Sequence, residues 1–432
     1  MSRNFDRCLL HIFHSGTILL RVLKFPGSYL LHDGKAFLSF LFLFSGAMDH
    51  LQAQNTVVEK SQAIDSVLQH YANEYSIVGL SVGVVHQNKS YTFQYGYTDQ
   101  SKRHPVTDST MFLVSSITKL FTATAVFQLI EEGKLHTDDK ITDLLPEFRM
   151  KDERYRNIRI SHLLTHTSGL PWDVILKDSP DDATALPLLL QELQRKKLSF
   201  TPGEALSYKT YSNVAFDLLG MVVESQTGMP IQEYVTARIL QPLDMQRSTY
   251  FYETIDSTAL AIPQVVSGNS RRVTRLNQYG RDSERNPVMN GKPLLVESYP
   301  VYGEEYEHNG SGNLISNAPE LNLWMTELLR IYQDIAYDGV IGRSTLEDMW
   351  TIHQTIAGKK TAIGWGWWTY PYEQWGTSVF HVGTNVGFCS ILTIFPRHDL
   401  GITVLCNGWY AQEAVWHGIA DEVAKIFLDE NQ

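Results

Sequence analysis

The strand-forming segments of this chain lie near its two ends, and the long stretch between them is mainly helical in pattern. Two β-rich runs, Val78–Val85 and Tyr91–Tyr97, are separated by a short polar segment, which predicts a hairpin. Strand character returns at Thr377–Phe395 and Gly401–Asn407, which predicts a second hairpin across Pro396–Leu400. Because strands bury their apolar faces best in a shared sheet, the two ends are expected to build one sheet domain.

Helices are predicted at both ends and through the middle of the chain. Residues 55–75 have apolar side chains at helical spacing, residues 411–428 form an amphipathic pattern, and Ser116 to about Met325 is mainly helical. The expected fold is therefore α/β, with an antiparallel sheet flanked by the terminal helices and a mainly helical inserted domain. The active site is expected at their junction. Within one domain of residues 54–430, the expected limits are 54–112 and 360–430 for the sheet subdomain and 113–359 for the helical subdomain.

The first 53 residues have the pattern of a leader. Basic residues precede the short apolar run Ala36–Phe44, and small and polar residues follow it up to Ala53. This pattern predicts a secretory signal cleaved after Ala53, and the run is shorter than the roughly 20 residues that span a bilayer. We therefore expect an exported (periplasmic or secreted) protein, with no stable membrane insertion after the signal is removed.

Charge and cysteine content narrow the classes of partner. The formal net charge of -11 argues against a nucleic-acid partner, so a small-molecule or peptide substrate is expected. The three cysteines, Cys8, Cys389 and Cys406, form neither a disulfide scaffold nor a metal-cluster spacing. Cys389 and Cys406 fall on consecutive predicted strands, where buried free thiols are favoured and a disulfide is the alternative.

The stretch Phe251–Asn309 differs from the rest of the chain. It is rich in Gly, Ser, Asn and Arg and has little periodicity. A solvated surface excursion is the favoured interpretation. The alternative is a loop that rims the cleft and selects the substrate.

The tetrapeptide Ser116-Ile117-Thr118-Lys119 opens a run that is apolar on nearly all sides and ends at Gly133. The run predicts a buried helix with Ser116 at its N-terminus and Lys119 on the same face one turn later. Unpaired N–H groups at the helix start favour an oxyanion there. The alternative is that Ser116 only caps the helix and Lys119 extends outward. Because an idle lysine in so apolar a helix is costly, we favour a nucleophile with its base.

Two further motifs follow in a fixed order, Tyr211-Ser212-Asn213 and then His381-Val382-Gly383. Tyr211 can transfer a proton if a nearby Lys119 ammonium lowers the pKa of its phenol. Asn213 can donate to a substrate carbonyl or hold the lysine amine. Each motif alone is weak evidence for such a site, and the evidence comes from the order of the motifs along the chain.

The third motif predicts an oxyanion site on an edge strand. Gly383 has no side chain to block a substrate backbone, and the N–H of Thr384 would complete an oxyanion hole with the N–H of Ser116. His381 can bind a carboxylate or ester oxygen, or it can make a structural hydrogen bond. The rival pair His162 and His166 has the spacing of a zinc helix but lacks the glutamate of that motif, so structural hydrogen bonding is favoured there.

With these motifs, residues 56–428 resemble the serine β-lactamase-like superfamily: class C β-lactamases, D-Ala-D-Ala peptidases (penicillin-binding proteins), D-aminopeptidases and related esterases. The resemblance implies the β-lactamase/transpeptidase-like fold, Ser116 as nucleophile, Lys119 and Tyr211 as the proton-transfer pair, and Asn213 as a ligand of substrate and lysine. His381-Val382-Gly383 would be the equivalent of the K-T-G strand, and no metal or organic cofactor is implied. Further similar segments are Ile160–Leu170, Phe200–Gly203, Leu218–Gly220, Pro242–Met245, Gly312–Ser316, Gly364–Trp367 and His381–Phe388.

Two departures from the family pattern matter. Spacing from Pro202-Gly203 points to Tyr208 as the catalytic tyrosine, but we favour Tyr211 because its partner Asn213 is intact. His381 replaces the lysine typical of class C β-lactamases, which resembles the peptidase and esterase branches more. The expected function is an exported serine hydrolase acting through an acyl-enzyme on a D-amino-acid peptide or small ester. The alternatives are a class C β-lactamase and a catalytically idle binding or sensor protein.

Overall fold

A computed structural model of the protein describes residues 58–174, 176, 182–266, 280–281, 287–289, 292–293, 296–298, 306–335 and 339–429. The predicted leader and Cys8 lie outside the described residues, as do residues 267–279 and several shorter segments up to residue 305 of the Phe251–Asn309 stretch.

An eight-stranded antiparallel sheet combines strands from the N-terminal and C-terminal parts of the described chain, in the order β10-β11-β12-β13-β14-β15-β1-β2. The described strands outside it form the small sheets β3-β9, β4-β8 and β5-β6-β7. The strands are β1 (Gly79–His86), β2 (Lys89–Gly96), β3 (Phe112–Leu113), β4 (Gln264–Val266), β5 (Gly280–Arg281), β6 (Pro287–Met289), β7 (Lys292–Pro293), β8 (Val296–Ser298), β9 (Ile315–Ser316), β10 (Gln354–Thr355), β11 (Ala362–Ile363), β12 (Trp368–Tyr372), β13 (Gly376–Asn385), β14 (Phe388–Phe395) and β15 (Leu400–Cys406).

The N-terminal hairpin β1-β2 pairs with the last strand, β15, so the expectation of one antiparallel sheet built from both ends is confirmed. Its two-residue turn, Gln87-Asn88, has φ values of 51° and 59°, as hairpin turns of this length require. The run Thr377–Phe395, expected as one strand, is two strands. It reverses at Val386-Gly387, where Gly387 has a φ of 84°.

Helices cover the middle of the chain and both ends of the described part. They are α1 (residues 58–75), α2 (Thr118–Glu131), α3 (Ile141–Leu144), α4 (Ile160–Leu164), α5 (Ala185–Leu193), α6 (Asn213–Thr227), α7 (Ile231–Val235), α8 (Ala318–Tyr332), α9 (Arg343–Trp350) and α10 (Ala420–Leu428). The expected C-terminal helix includes a π-helical segment, Ala414–Ile419, just before α10. None of the helices in the described ranges is long and apolar enough to cross a membrane.

Both faces of the central strands are buried, which explains why β14 is apolar with hardly a break. Its odd-numbered side chains, such as Cys389 and Ile391, join a core with α1 and α10. Its even-numbered side chains, such as Leu392 and Ile394, join the core that contains α2, α6 and α8. This alternation gives the sheet one face toward the terminal helices and one toward the middle helices, where the site residues lie. The fold class expected from the sequence is confirmed; the predicted subdomain limits stay a prediction.

The two described cysteines are opposite each other on neighbouring strands. Cys389 of β14 is the ladder partner of Cys406 of β15, and both are buried free thiols. The favoured interpretation of free thiols is therefore confirmed.

Candidate active site

A short 3-10 turn, Ser115–Ile117, presents Ser116 at the start of α2. The turn packs against β13 and β14, and the Ser390 hydroxyl donates to the carbonyl of Val114 at 2.8 Å. Ser115 has a left-handed φ of 53°, which bends the chain sharply before the nucleophile. No side chain of the described residues caps this helix start, so Ser116 is not used as a cap and stays partly accessible.

Lys119 is fully buried on α2, one turn after Ser116. Its Nζ lies 3.1 Å from Ser116 Oγ, 2.9 Å from Asn213 Oδ1 and 2.7 Å from the carbonyl of Ser311. Burial lowers the pKa of Lys119 to about 7, against the opposing effect of the Asp217 and Asp173 carboxylates. A neutral amine in this place has a lone pair that can take the Ser116 proton.

Tyr211, and not Tyr208, lies beside this pair. The Lys119 Nζ is 5.1 Å from the centroid of the Tyr211 ring, and the phenol is hydrogen-bonded to Ser116. Tyr208 is 58% exposed, and its hydroxyl donates to Thr361 Oγ1 at 3.3 Å. The expected lowering of the Tyr211 pKa is wrong, because burial raises it more than the hydrogen bond to Ser116 lowers it. The phenol therefore keeps its proton at neutral pH and is suited to donate it.

Asn213 begins α6, where Ser212 is the N-cap. Its Oδ1 accepts from Lys119, and its Nδ2 faces Asp173 Oδ2 at 3.4 Å. The Asn213 amide thus lies between Lys119 and Asp173, with its oxygen toward the amine and its nitrogen toward the carboxylate. Two roles were expected for Asn213, and the structure shows the one in which it binds the lysine amine.

His381 and Gly383 lie on the face of β13 that turns toward the middle helices. His381 is completely buried, its Nδ1 donates to the carbonyl of Val382 at 2.7 Å, and its ring centroid is 6.2 Å from that of Tyr211. Because a carbonyl only accepts, Nε2 of the neutral ring is an acceptor, and it has no hydrogen-bond partner among the described residues. Burial lowers the pKa of His381 to about 3, so the ring offers a substrate carboxylate no positive charge.

Gly383 serves the packing of the nucleophile turn. A Cβ at this position would collide with the carbonyl of Val114 and the hydroxyl of Ser390. The missing side chain therefore makes room for the segment before Ser116, whereas the sequence suggested room for a substrate.

β13 also leaves an open edge beside the Ser116 turn. Among the described strands, β12 pairs with β13 only as far as Phe380, whereas β14 continues to Asn385. Thr384 lies on this exposed part, and its hydroxyl accepts from Gln412 Nε2 at 2.9 Å. An edge of this kind can receive a substrate backbone as an added strand.

The rival histidine pair does not share a helix. α4 ends at Leu164, and His166 follows with a φ of 54°. His162 Nδ1 accepts from the N–H of Arg159, and His166 Nδ1 accepts from the N–H of Ser212, each at 3.2 Å. The predicted structural hydrogen bonding is confirmed. His166 in addition packs its ring against Tyr211, at 4.2 Å between centroids.

Three titratable residues near Lys119, two acids and a histidine, were missed by the sequence analysis. His308 places Nδ1 3.1 Å from Asp217 Oδ2 and Nε2 3.4 Å from Asp173 Oδ1. Only Asp217 had a visible signal, because a carboxylate inside the apolar run Val214–Val223 needs a buried partner.

The chain is similar to known proteins over most of its length. Residues 64–424 match the family model described as Beta-lactamase. The chain is 26% identical over 352 residues to Protein flp of Staphylococcus aureus (strain MW2), covering 81% of this chain and 63% of that protein. It thus spans less than two thirds of that relative. It is 23% identical over 378 residues to a Beta-lactamase of Pseudomonas fluorescens, covering 81% of this chain and 94% of that protein.

Two solved structures share the fold. The octameric penicillin-binding protein homologue from Pyrococcus abyssi aligns with a TM-score of 0.61 and 24% identity, over 80% of this chain and 72% of that one. A class C β-lactamase aligns with a TM-score of 0.66 and 19% identity, over 87% of this chain and 97% of that one. The family match covers most of the chain, and the chain belongs to the β-lactamase family.

Proposed function

We propose that this protein is a serine hydrolase that forms an acyl-enzyme on Ser116 and acts on small esters or D-amino-acid peptides. The observation that carries the proposal is the buried Lys119 amine, 3.1 Å from Ser116 Oγ and with a pKa lowered to about 7. A lysine of this kind is a general base at neutral pH, and its hydroxyl partner is already in contact.

In the proposed reaction, the neutral Lys119 amine takes the proton of Ser116 while Oγ attacks the substrate carbonyl carbon. The resulting oxyanion accepts from the N–H groups of Ser116 and Thr384. The Tyr211 phenol then gives its proton to the leaving oxygen or nitrogen and regains one from the Lys119 ammonium. In the second step, Lys119 takes a proton from a water molecule while that water attacks the acyl carbon. Lys119 then returns the proton to Ser116 Oγ, which leaves as a hydroxyl group.

The choice of substrate rests on His381. Its Nε2 is a buried acceptor with no partner in the described part of the chain, and the neutral ring has no charge to pair with the carboxylate of a β-lactam. An acceptor in this position suits a substrate N–H or O–H donor. This favours esters, and peptides whose carboxylate lies away from His381, over carboxylate-bearing antibiotics.

A class C β-lactamase activity is the second candidate. It is supported by the alignment with a class C β-lactamase over 97% of that chain. A catalytically idle binding protein is the third, and the buried, hydrogen-bonded Lys119 argues against it.

The proposal is tested by comparing the protein from Gln54 onward with Ser116→Ala on a p-nitrophenyl ester, a D-Ala-D-Ala peptide and nitrocefin. We expect release of nitrophenol or D-alanine by the wild type only, with nitrocefin the poorest substrate. Nitrocefin as the best substrate would move the protein to the β-lactamase branch. Equal residual rates in both proteins on all three would identify a binding protein.

We propose in addition that the protein is exported and that its mature chain begins at Gln54. The support is the basic start, the apolar run Ala36–Phe44 and Ala53 at the cleavage position. N-terminal sequencing of the protein from cells expressing the full chain is expected to begin at Gln54. An intact N-terminus in the cytosolic fraction would refute export.

A further inference from the structure

Asp217 is a carboxylate buried inside the helical core. It lies on α6 among apolar neighbours, and its side chain is 0% exposed. Burial raises the pKa of Asp217, while His308 and a hydrogen bond with Ser311 oppose that change. A carboxylate is retained at such a position only if partners compensate for its lost hydration.

His308 is that partner and connects Asp217 to a second acid. Its side chain is only 10% exposed, and its two ring nitrogens face Asp217 at 3.1 Å and Asp173 at 3.4 Å. Ionised carboxylates only accept hydrogen bonds, so both contacts are satisfied when each ring nitrogen carries a proton. The imidazole thus joins α6 to the loop that follows the His162–His166 segment.

The chain of contacts continues from Asp173 to the candidate nucleophile. Asp173 Oδ2 faces Asn213 Nδ2 at 3.4 Å, Asn213 Oδ1 accepts from Lys119, and Lys119 donates to Ser116. A second connection runs through Ser311, because its side chain bonds Asp217 and its carbonyl accepts from Lys119. Both routes reach the same amine.

We propose that Asp217, His308 and Asp173 are positioning residues, forming a relay that fixes the Asn213 amide and supplies the negative charge beside the Lys119 amine. The relay rests on the proposed function, since it acts through the proposed base and nucleophile. None of the three residues touches the reacting atoms, so their effect is expected on the charge state and placement of Lys119.

The charges around Lys119 set the sign of this effect. Asp217 on α6 and Asp173 raise the pKa of Lys119, while burial lowers it. His166 and His381 also face the amine, and burial keeps both neutral at physiological pH. The Tyr211 phenol is neutral as well, because its pKa is raised. Removing either carboxylate therefore lowers the Lys119 pKa further.

The direct test is an NMR titration of the Lys119 Cε in protein labelled with ¹³C-lysine, assigned with a Lys119→Arg spectrum. The wild-type resonance is expected to titrate near pH 7, and those of Asp217→Asn and Asp173→Asn at lower pH. Glu320→Gln is the matched control, because Glu320 is also a buried carboxylate but accepts from the N–H groups of Arg247 and Ser248. Its Lys119 titration is expected to equal that of the wild type. If the Lys119 resonance of both Asp variants titrated at the wild-type pH or at a higher pH, the proposal would be overturned.

Kinetic measurements distinguish a positioning role of these residues from a role in overall stability. In Asp217→Asn, the acid limb of the pH profile of the acylation rate should move to lower pH. The acylation rate at the plateau should fall by up to about 100-fold. His308→Gln combined with Asp217→Asn should be no worse than the poorer single variant, because both break one relay. Additive losses with an unmoved limb would show a merely structural role. The titration needs no turnover, so it tests the relay even if the proposed hydrolysis fails.

Discussion

At the scale of single residues, the state of Lys119 decides what the site can do. Three acceptors surround its amine, at 2.7 to 3.1 Å, which matches the three N–H donors of the charged form. The neutral form gives up one donor and gains a lone pair. With a pKa of about 7, both forms are populated at physiological pH, which a base that also returns its proton requires.

The pH dependence of acylation follows from this pKa. Because the neutral amine is the active form, the acylation rate should fall by about tenfold per pH unit well below pH 7 and level off above it. Lys119→Arg keeps its charge at every pH and should be inactive throughout. Stopped-flow acylation by a p-nitrophenyl ester between pH 5 and 9 measures both. A rate independent of pH across this range would contradict Lys119 as the base.

The two tyrosines give a matched pair of variants. Tyr211→Phe removes the phenol hydrogen-bonded to Ser116 and should lower kcat by about 100-fold or more. Tyr208→Phe removes an exposed hydroxyl bonded only to Thr361 among the described residues and should leave kcat within about twofold. The larger loss in Tyr208→Phe would reverse the assignment.

Sequence patterns predicted the residues that we propose to react, but they missed the residues that lie behind them. Ser116 and Lys119 are three residues apart, so helical spacing was enough to place them together. Asp217 and His308 are 91 residues apart, and His308 lies at the end of a stretch without periodicity. The Tyr211 pKa was predicted in the wrong direction because its desolvation depends on packing that no local pattern encodes.

At the scale of elements, the start of α6 holds Tyr211 and Asn213 in place. Ser212 between them caps the helix by accepting from the N–H of Ala215, and it donates to the carbonyl of Pro171 at 2.7 Å. Its own N–H donates to His166. One serine therefore fixes the helix start against the loop that carries Asp173.

This cap can be compared with a second one at α8. Ser212→Ala and Asn317→Ala each remove an N-cap and should each lower the free energy of unfolding by about 1 kcal/mol. Only Ser212→Ala should lower the acylation rate, by roughly tenfold, because it loosens Tyr211 and Asn213. Chemical denaturation and ester turnover of both variants measure the two effects. Equal ester turnover in the two variants would show that the Ser212 cap has no specific role in catalysis.

The elements of the sheet were predicted better than their ends. Alternation and β-branched residues located the strands, but the reversal at Val386-Gly387 was missed because the surrounding run is strand-like on both sides. The left-handed φ of Gly387 is the feature that makes the turn.

At the scale of the whole molecule, the sheet unites residues that are more than 300 positions apart. β1 pairs with β15, which places the C-terminal strands beside the N-terminal hairpin, and the nucleophile turn packs on β13 and β14. The site is therefore assembled from the start of α2, the start of α6 and the open edge of β13. The strand patterns at both ends predicted the shared sheet and a site at its junction with the helices, but they did not predict the order of the strands.

The central claim is that Ser116 is the nucleophile, and intact-protein mass spectrometry during turnover of a p-nitrophenyl ester tests it most directly. The acid-quenched wild type should gain the mass of one acyl group, mapped by peptide digestion to Ser116, and Ser116→Ala should gain none. An acyl group on another residue, or ester turnover undiminished in Ser116→Ala, would contradict the account.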